Sequence, residues 1–174
     1  MVRHRIALRV FHAPTLLFAA FCAATLGVQS ARATNASSNF TVSATVLASC
    51  SVTAGNLSFG SYTASSATPN TASSTVAVTC TNGTTYSVSL DGGTVSNAMT
   101  ARNMKDTAGD LLSYGLYTTS AYTTVWGDGT GGTGDNSSSG TGTAQSYTVY
   151  GQVPAAQYVA PSSYADQISV TVSY

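Results

Sequence analysis

The side chains that most often do chemistry in proteins are sparsely placed in this chain. Both histidines, His4 and His12, fall in the first dozen residues, and no glutamate occurs anywhere. The acids are six aspartates, Asp91, Asp106, Asp110, Asp128, Asp135 and Asp166. A Ser/His/Asp or Cys/His arrangement needs a base beside the nucleophile, and the body of the chain supplies none. Two aspartates can act without histidine, as in glycoside hydrolysis. Each of these, however, stands in turn-like sequence beside Gly, Thr, Lys, Leu or Gln, where the carboxylate caps local backbone. Capping is therefore the expectation for all six, with no catalytic residue and no enzyme. A secreted hydrolase using an aspartate pair is the outlying alternative.

Of the three cysteines, Cys22 lies in the first segment and Cys50 and Cys80 lie in the body. In an exported chain such a pair reads as a disulfide, and closing a loop of that length contributes about 3–4 kcal/mol in the chain-entropy picture. A metal or redox site would call for CxxC spacing or a nearby histidine. Neither is present, so no metal and no cofactor are expected.

Export is written into the first 33 residues. Residues 1–9 carry Arg3, Arg5 and Arg9, residues 13–28 form an apolar run, and Ala31-Arg32-Ala33 is a small-x-small cleavage pattern; together these describe a secretory signal peptide. The apolar run is shorter than the roughly 20 residues a bilayer needs, and Pro14 interrupts its start. A lipoprotein would need a small residue before Cys22, where Phe21 stands. No stable membrane insertion is expected after cleavage.

Only 7% of the 174 residues are charged, against about a quarter in an ordinary soluble domain. Hydroxyls and amides must wet this surface instead. Beyond residue 33 two cations, Arg102 and Lys105, face the six aspartates, a net of −4. A weakly acidic body without a basic patch speaks against nucleic acid.

The elements that must position these residues alternate with a period of two. Apolar side chains alternate with Ser and Thr in short runs broken by Gly, Asn and Pro, which predicts strands. The runs are residues 40–46, 74–81, 86–90 closed by the turn Asp91-Gly92-Gly93, 111–117, 147–153 and 168–174. Residues 64–74 and 127–143 are low in complexity and read as loops. No stretch of ten residues has helical spacing. The fold class is all-β, an immunoglobulin-like β-sandwich with one disulfide; a jelly roll or small barrel is the alternative. Residues 40–46 are either the first strand of a complete domain or a strand given to a neighbour.

Further motifs carry a family resemblance. Cys50, Leu57-Ser58-Phe59-Gly60-Ser61-Tyr62 and Val78-Thr79-Cys80-Thr81-Asn82-Gly83-Thr84 leading to Tyr86 come first. They are followed by Arg102, Met104, Leu112, Tyr114 and Tyr117, then by Trp126-Gly127-Asp128-Gly129 and residues 147–154. Tyr164-Ala165-Asp166 precedes a closing strand. In that order they resemble the spore coat protein U domain family, which includes subunits of archaic chaperone–usher pili.

The resemblance implies an incomplete sandwich whose last strand comes from a neighbouring subunit or a chaperone. It divides the chain into a signal peptide (1–33), a donor-strand extension (34–48) and a pilin-like domain (49–174). Phe40, Val42, Ala44 and Val46 become the donor positions, with Ala44 the weakest. Ile168, Val170, Val172 and Tyr174 become the strand that borders the groove and that the chaperone grips. The implied partners are a periplasmic pilus chaperone, an outer-membrane usher and copies of the same or related pilins. The implied place is the cell surface, reached through the periplasm, in a fimbrium serving adhesion or biofilm formation. A self-contained spore, cyst or matrix coat protein is the alternative.

Overall fold

The structure is a computed structural model that describes residues 32–174, so nearly all of the expected signal peptide lies outside the described residues. The chain divides into two units, residues 1–43 and 44–174. In the first, the described residues carry no regular secondary structure and are exposed.

Among the described residues, the second unit holds all the regular structure. Its elements in chain order are β1 (Cys50–Ala54), β2 (Asn70–Cys80), β3 (Thr85–Leu90), the single helical turn α1 (Gly93–Ser96), β4 (Arg102–Lys105), β5 (Leu111–Tyr117), β6 (Asn136–Ser139), β7 (Gln145–Val153) and β8 (Val170–Ser173). They form two antiparallel sheets, one of five strands in the order β1-β2-β7-β5-β4 and one of three in the order β6-β3-β8. The fold is all-β.

Alternation explains the central strands. Val76, Val78 and Cys80 of β2, Tyr86, Val88 and Leu90 of β3, Leu112, Tyr114 and Leu116 of β5, and Val149 and Val153 of β7 are buried, while their odd-spaced neighbours face outward. A half-buried strand puts every second side chain into the core. Trp126, between β5 and β6, is fully buried and donates from Nε1 to the carbonyl of Val88 at 2.9 Å. Tyr86 and Tyr147 join hydroxyls at 2.7 Å beside it. A disulfide joins Cys50 and Cys80, which face each other at the first register pair of β1 and β2.

Several elements differ from the sequence expectation. The loop expected over 64–74 gives way at Asn70, because residues 70–74 pair with Val153 to Val149 of β7. The loop expected over 127–143 contains β6, a run of Asn and Ser recruited by the edge of β3. β1 and β4 are additional strands: β1 alternates Cys50, Val52 and Ala54 with Ser51 and Thr53 over only five residues, and β4 carries no such alternation. Residues 40–46 form no strand: Phe40, Val42 and Val46 are 87%, 81% and 81% exposed, and the run has no ladder bonds among the described residues. A strand exists only when another edge accepts its hydrogen bonds.

The turn after β3 is also more elaborate than a tight hairpin. Asp91 Oδ1 accepts from the amide of Gly93 at 3.0 Å, and one turn of helix follows. Gly93 has φ of 80°, and a Cβ there would run into the carboxylate of Asp166, so glycine is required on both counts.

Candidate functional site

The C-terminal segment builds one wall of an open cleft. It first pairs with the five-stranded sheet, where Lys105 and Ala165 exchange amide-to-carbonyl bonds of 2.9 and 3.1 Å. It then crosses to the other sheet. The amide of Thr94 donates to the carbonyl of Gln167, and Asp91 N donates to Ser169 O, both at 3.1 Å. From there β8 runs along β3, with Val170 opposite Leu90 and Val172 opposite Val88. Among the described residues, the other edge of β8 pairs with no strand. Ile168, Val170 and Val172 pack half-buried against the core, and Tyr174 is 62% exposed.

Beside that edge lies an open cleft of about 510 Å³ with both apolar side chains and polar groups on its walls. Ile168 and Val170 line one side, Ala54 and Leu57 the other, with Val76 and Leu116 among the core residues at its base. A second cavity of about 780 Å³ adjoins it, and Leu57, Phe59, Met104 and Tyr164 line both. The absence of a side chain at Gly151 lets Leu57 and Phe59 lie directly on β7, since a Cβ there would come within 2.9 Å of each.

Polar groups fix the walls rather than offer chemistry. Asp166 Oδ1 accepts from the amides of Thr94, Val95 and Gln167 at 2.9, 3.1 and 2.8 Å and from the Thr94 hydroxyl at 3.0 Å. Its Oδ2 accepts from the Tyr114 hydroxyl at 2.7 Å. Burial, and then the bond to Asp166, push the Tyr114 phenol well above its ordinary range. Asp91 Oδ1 receives the amide of Ser169 at 3.0 Å. These two carboxylates pin the crossing segment from either side of α1.

Arg102 lies beneath this clasp, fully buried. Its guanidinium donates to the carbonyls of Asp91 (3.0 and 2.6 Å), Met99 (2.9 Å) and Trp126 (2.8 Å). Burial draws its pKa down, opposed by the nearby Tyr114, Asp91 and Asp166. A planar fork that meets several carbonyls at once is what arginine provides and lysine does not.

Of the remaining aspartates, Asp106, Asp128 and Asp135 bond groups close in sequence. Asp106 is buried and its Oδ1 accepts from the amides of Ala108, Gly109 and Asp110 at 3.0, 2.8 and 2.8 Å. Asp128 Oδ1 accepts from the amide and hydroxyl of Thr130, and Asp135 Oδ2 from the Ser137 hydroxyl. A carboxylate occupied by several backbone amides is held as an acceptor, which suits an anchor rather than a general base. Asp166 exceeds its expected part, because it joins α1, β5 and the C-terminal segment and not its own turn alone. No local pattern marks this reach, since Tyr114, Val95 and Thr94 lie 52, 71 and 72 residues away in sequence.

The structure thus places Ile168 and Val170 on the cleft wall, while Val172, farther along β8, packs against the core outside it. Phe40, Val42, Ala44 and Val46 remain exposed. The sequence motifs carried Leu57, Phe59, Met104 and Tyr164 only as family marks; the i, i+2 spacing of Leu57 and Phe59 was the physical signal that both would turn the same way.

Residues 36–171 match the Spore Coat Protein U domain. The chain belongs to this family. This chain is also similar in structure to a chain of a solved complex from Acinetobacter baumannii, described as the CsuC–CsuE chaperone–tip adhesion subunit pre-assembly complex from archaic chaperone–usher Csu pili. The identity is 26% and the TM-score 0.55, over 75% of this chain and 40% of that one, so the present chain spans about two fifths of the length it is compared with. No curated protein sequence matches. Among the described residues no helix is long and apolar enough to cross a membrane, and no group of three or more His, Cys, Asp or Glu side chains gathers where it could hold a metal ion.

Proposed function

We propose that this chain is a structural subunit of a surface pilus assembled by the chaperone–usher route through donor-strand exchange. The observation that carries the reading is the unpaired edge of β8 beside an open cleft with apolar side chains on its walls, in a chain that also bears an exposed run of alternating apolar residues. A free edge over an apolar groove is a template for strand addition, in which backbone bonds supply affinity and alternate side chains fill pockets.

Phe40, Val42, Ala44 and Val46 are the donor positions, entering the groove of a neighbouring copy. Burying the three larger ones contributes roughly 1.5–3 kcal/mol each before the cost of ordering the extension. Ile168, Val170, Val172 and Tyr174 form the edge that a periplasmic chaperone holds until the donor arrives; the chaperone–subunit complex to which the fold is similar supports that partner. An outer-membrane usher then passes the fibre to the cell surface, where it serves adhesion or biofilm formation. The N-terminal segment, 34–48, is the donor extension and the rest of the mature chain the acceptor.

Deleting residues 35–46 tests the reading. The shortened subunit stays bound to its chaperone and forms no fibre; fibres of unchanged length and yield would overturn the proposal. The family's name favours a second reading, a coat protein whose domain is complete by itself. In that case the mature protein is a stable monomer without any chaperone.

A further inference from the structure

On the donor reading, even positions 40–46 face the groove and odd positions face outward. Thr41, Ser43 and Thr45 suit water. Leu47 continues the outward row but is apolar, and it is 78% exposed. Two residues after it the chain is fixed to its own domain. The amide of Ser49 donates to Thr81 Oγ1 at 3.1 Å, the amide of Thr81 donates to Ser49 O at 2.9 Å, and Cys50 is bonded to Cys80.

Only Leu47 and Ala48 therefore separate the last donor position from a clamped strand. Three Cα steps, Val46 to Ser49, reach at most about 11 Å, close to the roughly 10 Å spacing of packed sheets. A tether this short cannot hold two folded domains apart, so the disulfide-bonded corner of one copy must lie against the rim of the groove its extension enters. That corner is polar, built from Thr81, Asn82, Gly83, Gly140 and Thr141, and gives Leu47 no apolar cover of its own.

We infer that Leu47 is buried in the joint between consecutive copies, where it packs against the acceptor copy and stiffens the fibre. The inference rests on the donor reading and adds to it a contact outside the groove. Its partner is a second copy of this chain.

Hydroxyl-radical footprinting read by mass spectrometry on the unaltered protein, as chaperone complex and as fibre, tests it. Leu47 is expected to oxidise readily in the complex and about fivefold more slowly in the fibre, the protection of a side chain taken into a packed interface. If Phe40 and Val42 become protected in the fibre while Leu47 does not, the joint contact is wrong and the donor reading stands. If none of the three becomes protected, the donor reading itself fails. Protection of Leu47 already complete in the chaperone complex assigns its cover to the chaperone and overturns the inference. As a second measurement, Leu47→Thr extends the hydroxyl row without touching a donor position. Its fibres are expected to show a shorter persistence length by electron microscopy, and fibres as stiff as the parent overturn the inference.

Discussion

The hydroxyl of Tyr114, in the middle of β5, donates a 2.7 Å hydrogen bond to Asp166 Oδ2 at the head of the C-terminal segment. The bond crosses from the five-stranded sheet to the segment that becomes the free-edged strand of the other sheet. It sets where that strand begins, and hence the width of the cleft beside it. With the three amides on Oδ1, it turns an acidic turn residue into the fastening of the groove wall.

Removing the phenol isolates that fastening. Tyr114→Phe keeps the ring in the core but deprives Asp166 of a donor, at about 1–2 kcal/mol for a bond to a charged acceptor. Thermal unfolding should show the midpoint lowered by about 3–6 °C for a domain of this size. Hydrogen exchange should locate the loosening at β8 and α1 rather than at β1.

Two buried phenols predict alkaline unfolding. Burial, with the hydrogen bond to Tyr147 next, raises the Tyr86 phenol to about 12, and burial raises Tyr114 as well. Both are neutral in the folded state, so their contribution is fully present below the ordinary phenol value near 10 and is lost as pH rises through about 12. Tyrosinate absorbance followed together with circular dichroism checks this. Tyr86 and Tyr114 are expected to ionise only as the dichroism collapses.

Asp106 predicts the opposite sensitivity. Burial works to raise its carboxyl, but the hydrogen bonds from Asp110, Ser162, Gly109 and Ala108 outweigh it and hold the pKa below the usual carboxylate value. Its contribution is therefore present above about pH 4 and is lost as pH falls through the lower folded value. Asp106→Asn removes that titration. The stability difference between variant and parent, measured by denaturant unfolding at successive pH values, should narrow on acidification.

Arg102→Lys tests the buried guanidinium. One ammonium cannot reach the carbonyls of Asp91, Met99 and Trp126 together, so at least one buried acceptor is left without a donor. The expected loss is about 2–4 kcal/mol, seen as a lower denaturant midpoint with an unchanged slope.

The strands legible in the sequence are those whose own side chains carry the period of two. Leu111–Tyr117 is such a strand, and so are β3, the apolar half of β2 and most of β7. β6, a run of Asn and Ser, has no such signal, because it is a strand only through its backbone pairing with β3. The polar start of β2 is extended by pairing with β7 for the same reason. Residues 40–46 show the converse: the alternation is clear and no ladder forms, since pattern supplies a face but not a partner edge. At the site, Ile168, Val170 and Val172 were readable as one apolar row, whereas the reach of Asp166 to Tyr114 and α1 was not.

By itself the sequence determined the all-β class, the pairing of Cys50 with Cys80, an acidic body free of histidine and glutamate, and the family. The first three follow from composition, the count of cysteines in an exported chain and alternation within short runs; the family follows from its motifs standing in order along the chain. Only the tertiary structure decided that β8 keeps one edge free, that Leu57 and Phe59 lie over Gly151 to line the cleft, and that Arg102 and Asp166 brace its wall. Each of those depends on segments brought together from far apart in the chain, where pairing is chosen by the packing of the whole core rather than by any local preference.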